Sequence, residues 1–285
     1  MSSTLTNQIV DKLIQASQQL DPSLLNGLKE MKKWYEKSSY KASASLMQAI
    51  LENLKLAKEH KIPMCQDTGM VVAFIEMGKS DYTMKEVENS LNEAIVKASE
   101  QGYFRFSVVK EPVYERKNSL NNLPAVIHWS TKEGKGVRIS LMLKGFGSEN
   151  CSAIKMLNPT AQEDEIIKTV VEMVKEAGSK PCPPIVVGIG LGGTSEQALI
   201  MAKKAHFRKI GSQHHDKRYA NLEQKILKAI NDLGIGPGGF KGDLTALSVA
   251  IEEGSTHIAS LPVAISISCW ADRHQTLSFG EENDK

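Results

Sequence analysis

Long apolar runs are missing from the 285 residues. The longest, Met70 to Ile75 and Leu261 to Ile267, fall far short of the roughly 20 residues that cross a bilayer, so no transmembrane helix is expected. Excess charge of one sign is missing too. Thirty-five Lys and Arg stand against 33 Asp and Glu, and the signs are interspersed, which removes the electrostatic footprint that nucleic-acid binding requires. Behind Met1 comes a polar amphipathic segment instead of a basic start and an apolar stretch, so export is not expected and a cytoplasmic location is. Cysteine is scarce: four residues, at 65, 151, 182 and 269, with no Cys-x-x-Cys pair. That spacing excludes a disulfide scaffold, a local zinc knuckle and a ferredoxin-like run. No internal repeat is visible.

What is present is a soluble-type balance, 41% hydrophobic and 24% charged, over a length that suits one large domain or two ordinary ones. Apolar residues recur at helical spacing from Thr4 to about His60, which predicts three opening helices. A strand is predicted over 70–77, a helix over 83–102, and strands near 105–109, 124–130 and 136–143. The alternation Val137-Arg138-Ile139-Ser140-Leu141 suits a half-buried antiparallel strand in a meander. A helix over 161–178, a buried strand over 185–191, a helix from Thr194 or Ser195, a helix over 219–233 and a strand over 261–268 complete the pattern. The expected class is α+β: a helical N-terminus, then two lobes with mixed, mostly antiparallel sheets flanked by helices. Residues 1–285 read as a single domain with sub-lobes 61–178 and 179–275 after the helical segment 1–60.

Several residue groups could carry chemistry. Gly188-Ile189-Gly190-Leu191-Gly192-Gly193 contains G-x-G-x-x-G between a strand and a helix. It admits three readings: a tight turn, an anion-facing helix N-terminus, or a dinucleotide fingerprint whose acidic partner strand is missing. Cys65, Cys182 and Cys269 each stand beside a loop signal at the end of an element. Spacing alone favours inert buried cysteine, while thiolates gathered by folding would suit zinc or an iron–sulfur cluster. Gln66-Asp67-Thr68 adjoins Cys65, so the Asp67 carboxyl could serve as acid or base, or could shape an Asx-turn before Gly69. Arg105, between two phenylalanines, is either a carboxylate fork or a structural ion pair. His257 sits just before an apolar strand, and His214-His215 lie in a charged stretch that reads as solvated.

Taken together, the sequence resembles the class I, iron–sulfur-dependent fumarate hydratases and their relatives the L-tartrate dehydratases, in the domain that forms a separate α subunit in two-subunit members. The resemblance is carried by Pro63-Met64-Cys65-Gln66-Asp67-Thr68-Gly69, Gly145-Phe146-Gly147-Ser148-Glu149-Asn150, Cys182-Pro183-Pro184 with the glycine turn, Gly234-Ile235-Gly236-Pro237, and Leu261-Pro262-Val263-Ala264 leading to Cys269. It implies a [4Fe-4S] cluster on Cys65, Cys182 and Cys269, with Cys151 left out. It implies Asp67 as the acid for a departing hydroxyl, and substrate contacts from Gln66, Arg105, Gly147 and His257. It also implies a small dicarboxylate substrate, a β subunit carrying the base, and an α2β2 heterotetramer. The expected activity is the hydration of fumarate to (S)-malate. L(+)-tartrate dehydration to oxaloacetate is the alternative, and a dinucleotide-binding protein using residues 188–193 is a remote one. Ser255-Thr256-His257 and Leu261-Pro262-Val263-Ala264 lean toward the fumarate branch, while Trp270 stands where fumarases often carry His.

Overall fold

The computed structural model describes residues 2–280. Met1 and residues 281–285, which the expected domain 1–285 includes, lie outside the described residues. The chain divides into two compact units. One holds residues up to Leu20, Asn53–Phe146 and the segment from Arg273; the other holds Asp21–Glu52 and Gly147–Asp272. The expected sub-lobes 61–178 and 179–275 are cut at other places, because the chain enters and leaves each unit more than once.

The first unit contains α1 (Ser2–Gln18), the end of α3 (Lys41–His60), β1 (Met70–Lys79), α4 (Met84–Gln101), β2 (Val126–Lys135), β3 (Val137–Lys144) and β8 (Arg273–Phe279). Its sheet runs β2-β1-β3-β8, with β1 parallel to β2 and antiparallel to β3, and β3 antiparallel to β8. The expected meander is absent, since β1 lies between the sequence neighbours β2 and β3. Leu5, Ile9 and Leu13 of α1 and Val87, Leu91 and Ile95 of α4 recur at helical spacing, and both stripes pack on Val71, Ala73, Ile75, Ile139 and Leu141 of the sheet. Helix α4 starts where Thr83 and Glu86 form a reciprocal capping box, with Thr83 N–H donating to Glu86 at 2.8 Å.

The expected strand at 105–109 is not formed. Over 105–107 its backbone is hydrogen-bonded by side chains, and strand-type pairing is limited to the isolated antiparallel bridge of Val109 with Asn118, where Ser119 N donates to the Val108 carbonyl at 2.7 Å. Arg105 N donates to Thr68 Oγ1 at 3.1 Å, Ser107 N donates to Asn122 Oδ1 at 2.9 Å, and Asn118 Nδ2 donates to the Phe106 carbonyl at 2.8 Å. Side-chain bonding of this kind competes directly with a ladder.

The second unit contains α2 (Pro22–Lys37), the start of α3, β4 (Ala153–Leu157), α6 (Glu163–Ala177), β5 (Ile185–Gly192), α7 (Ser195–Lys204), α8 (Lys217–Asn231), β6 (Ala246–Gly254) and β7 (Leu261–Ser268); the short α5 (Phe146–Glu149) lies at the change of unit. Its sheet runs β4-β7-β5-β6, with β5 parallel to β6 and β7 antiparallel to both β5 and β4. The two sheets therefore share one strand pattern, a parallel pair followed by two antiparallel pairs, although no repeat is visible in the sequence. Along β5 the period of two separates two faces. Ile185, Val187, Ile189 and Leu191 pack with Val170 and Val174 of α6 and Leu222, Ile226 and Ile230 of α8. Gly188 and Gly190 face α7, where an added Cβ would lie 2.0 Å from the Ala202 carbonyl oxygen and 1.9 Å from that of Ala198. These glycines let a helix and a strand touch backbone to backbone.

Two strands had little signal. β4 and β8 are outer strands with a single buried residue each, and their sequences, AIKML and RHQTLSF, carry no run that separates a strand from a loop.

Candidate functional site

In the first unit the chain between α3 and β1 is pinned ahead of its polar residues. Met64 N donates to the Ser17 carbonyl at 2.9 Å, and Asn53 Nδ2 donates to the Met64 carbonyl at 2.8 Å. Gly69 ends the loop at φ +87°, where any Cβ would stand 2.7 Å from the Lys144 carbonyl oxygen, so glycine alone fits there. Between these anchors lie Cys65, half-buried, Gln66, exposed, and Asp67, half-buried. Asp67 Oδ1 accepts from Gly69 N at 3.1 Å, which is the Asx-turn expected of it. Its Oδ2 accepts from Phe146 N at 2.8 Å, so the same carboxyl also holds the Gly145-Phe146 segment. Each oxygen keeps a second lone pair for a further partner.

Thr68 joins this loop to Arg105 through the bond to Arg105 N, and Asn122 Nδ2 donates to the Arg105 carbonyl at 3.2 Å. The backbone of Arg105 is thus fixed on both sides while its guanidinium is exposed. Asn122 holds φ +58° and is buried, with its Nδ2 also reaching Ser99 Oγ at 3.0 Å. The strand expected here would have lost this clamp.

The second unit carries the other named residues. Cys182 is exposed, at φ +55°, ahead of β5, and its Sγ lies 4.0 Å from the Lys180 carbonyl oxygen. The same carbonyl is 3.6 Å from where a Cβ on Gly147 would stand. Cys269 is half-buried directly after β7. Since β5 and β7 are antiparallel, with Val186 opposite Ser268, Cys182 and Cys269 lie toward the same end of that strand pair. The segment after Cys269 is tied down by buried groups: Asp272 Oδ2 lies 3.6 Å from His206 Nδ1, and His206 Nε2 is 3.1 Å from Ser266 Oγ.

His257 is placed elsewhere. It precedes β7, whose eight residues at about 3.3 Å each put roughly 25 Å between His257 and Cys269. Its Nδ1 accepts from Ala259 N at 3.2 Å, and the ring is exposed. Its loop docks on the glycine turn, where Gly193 N donates to the Ser255 carbonyl at 3.2 Å and Thr256 Oγ1 donates to the Gly193 carbonyl at 2.9 Å. Together with the packing of Gly188 and Gly190 on α7, this accounts for the whole motif as structure, so the dinucleotide reading has no residue left to carry it.

None of the four cysteines is in a disulfide. Cys151 is buried and donates from Sγ to the Gly147 carbonyl at 3.4 Å, whereas Cys65, Cys182 and Cys269 are reachable thiols on irregular backbone. Soft thiolate donors are the chemistry an iron–sulfur cluster takes. Among the described residues the one group of ligand-type atoms close enough to share an ion is His214, His215 and Glu253, within 4.8 Å of one another. There His214 Nδ1 accepts from Asp216 N at 3.0 Å, so the N–H is at Nε2, which donates to Glu253 Oε2 at 2.8 Å. That tautomer offers a metal no lone pair, so the pair is an intramolecular tie.

Two residues with a place in the Asp67 arrangement escaped sequence reasoning. Arg273 Nη1 donates to the Asp67 carbonyl at 2.8 Å, and Asn122 holds Arg105. Arg273 follows Asp272 soon after Cys269, but nothing in that spacing points across the sheet to residue 67.

Comparison with known proteins gives these features a setting. The sequence matches the family described as Fumarate hydratase (Fumerase) over residues 6–278. The chain belongs to that family. It is 44% identical over 275 residues to a protein of Methanocaldococcus jannaschii named, provisionally, as an L(+)-tartrate dehydratase subunit alpha, covering 94% of this chain and 95% of the other. It is 28% identical over 289 residues to the L(+)-tartrate dehydratase subunit alpha of Escherichia coli K12 and to that of Shigella sonnei, covering 97% of this chain and 94% of each relative. Membership makes the chain part of a hydro-lyase, as its resemblance implied. Among the described residues, no helix is long and apolar enough to cross a membrane.

Proposed function

We propose that this chain is the α subunit of a two-subunit hydro-lyase that removes water from a 2-hydroxy dicarboxylate, with L(+)-tartrate as the first substrate to test. The carrying observation is the 44% identity along nearly the whole chain to a relative named for that activity. The family description keeps the malate–fumarate pair as the second reading.

Dehydration needs a proton on a poor leaving group and the loss of a proton from the neighbouring carbon. Asp67 is the group assigned to the first task. Its carboxyl is held by one backbone N–H donor on each oxygen, and in its protonated form it would pass that proton to the departing hydroxyl. Gln66 and the solvent-facing guanidinium of Arg105 would orient a substrate carboxylate, the guanidinium as a bidentate fork. The exposed backbone at Gly147 would offer an N–H. The second task falls to a base on a β subunit, in an α2β2 assembly. Because His257 stands at the far end of β7 from Cys269, its contact with substrate would come from a second copy of the α chain.

Cys65, Cys182 and Cys269 would hold a [4Fe-4S] cluster, which when bound supplies Lewis acidity toward substrate oxygen. The test is anaerobic co-purification with the β chain, iron and sulfide analysis, and parallel assays of tartrate, malate and fumarate. Turnover of tartrate with bound iron is expected. Cys182→Ala should abolish iron binding and Cys151→Ala should retain it. Iron retained by Cys182→Ala, or no turnover of any of the three by an iron-loaded complex, would overturn the reading.

A further inference from the structure

A guanidinium is charged at every working pH, and burying one is costly unless neighbouring groups compensate it. Arg273 is 1% exposed and is, among the described residues, the largest fully buried side chain. It is also the one buried residue of β8, a strand that is otherwise half-open to solvent. The strand does not ask for it, because β8 pairs with β3 through backbone groups, with Arg273 opposite Leu143. Its Nη1 donates to the Asp67 carbonyl at 2.8 Å, and its Nε has no hydrogen-bond partner among the described residues.

Gly145 explains how the two groups approach. A Cβ on it would lie 3.3 Å from Arg273 Nη2 and 3.3 Å from Asp67 Oδ2, so the guanidinium and the carboxylate flank the same point. With no side chain at 145, both fit. The Asp67 unit is then held at three places: its carbonyl by Arg273, Oδ1 by Gly69 N and Oδ2 by Phe146 N.

We infer that Arg273 is the positioning residue of Asp67: the buried guanidinium clamps the backbone of the acid, and Gly145 leaves the room that guanidinium and carboxyl need on either side of it. The inference rests on the reading of Asp67 as the group that serves the substrate hydroxyl. A group misplaced by even an ångström can lose about a hundredfold in rate, so a clamp of this kind appears in kcat more than in KM.

The test uses the anaerobic α–β complex with wild-type turnover as its control. Gly145→Ala, which pushes on both partners by a few tenths of an ångström, should lower kcat by about tenfold with KM near wild type and iron content unchanged. Arg273→Gln should lower kcat by about a hundredfold, with part of the loss recovered in Arg273→Lys. In an Asp67→Asn background neither Arg273→Gln nor Gly145→Ala should cost anything further, because groups that act as one unit are not additive. Equal losses in both backgrounds, or wild-type kcat in Gly145→Ala, overturn the inference. If Arg273→Gln does not fold, Gly145→Ala carries the same comparison. A wild-type complex that turns over nothing counts against the functional reading instead. The clamp is then read in the α chain alone, where Arg273→Lys should speed amide exchange at Gly69 and Phe146; unchanged exchange refutes it.

Discussion

Gly190→Ala should be far more damaging than its single methyl group suggests. The added Cβ would stand 1.9 Å from the Ala198 carbonyl oxygen, 2.8 Å from its carbonyl carbon and 2.9 Å from Ala202 N. All three are backbone atoms of α7, so no side chain can rotate away. Reaching ordinary contact moves the helix off the sheet by about 1.5 Å. That opens the layer in which Ala198, Ala202 and Ala264 are fully buried. Overpacking a core costs about 1–3 kcal/mol when side chains can yield. With backbone on both sides, a loss of about 3 kcal/mol or more is expected. Gly211→Ala is the control. Gly211 holds φ +84° with nothing within 4 Å of the added Cβ, so it isolates the conformational cost at about 1–2 kcal/mol. Urea unfolding of the α subunit, with the slope checked for constancy, measures both. A Gly190→Ala variant no less stable than Gly211→Ala would refute the packing account of this turn and reopen a ligand role for it.

Two further outcomes rest on charge. Glu223 is buried and accepts from Arg208 Nη1 at 2.5 Å and from Ile251 N at 2.8 Å, so Glu223→Gln strips the half-buried Arg208 guanidinium of its charged partner and should cost about 1.5–3 kcal/mol in the same unfolding assay; a loss below about 0.5 kcal/mol would mean the pair is solvated. Glu252 has its pKa raised, chiefly by burial and also by Glu253, against the opposing pull of Lys204, Arg208 and His214. Its folded form holds the proton more tightly, so its contribution to stability is full below the unfolded carboxyl pKa and is lost as pH rises through the higher folded value. Glu252→Gln should therefore gain melting temperature relative to wild type between acid and neutral pH, and parallel curves for the two proteins would sink this account.

Much of the fold was legible because periodicity reports burial. The stripes of α1, α4, α6 and α8 and the apolar runs of β1, β5 and β7 are each buried on one side or both, and the sequence shows it. Strands β4 and β8 were not legible, because an outer strand with open residues has no hydrophobic period to display. The segment at 105–109 misled for the opposite reason. It has strand-like residues, yet Arg105, Phe106 and Ser107 find their backbone partners in the side chains of Thr68, Asn118 and Asn122, and only the bridge of Val109 with Asn118 is strand-like.

The sequence by itself determined the class of fold, the thiols and the loop residues Cys65, Gln66 and Asp67, because residue type and turn chemistry are local properties. Tertiary structure alone decided what surrounds them. It showed that glycines 188 and 190 are a packing seam, that His257 lies at the far end of β7 from Cys269, and that Arg273, 206 residues from Asp67, reaches its carbonyl. Hydrogen bonds and close backbone contacts act over about 3 Å in space, whatever the distance along the chain, and only the folded sheet sets which residues come that close.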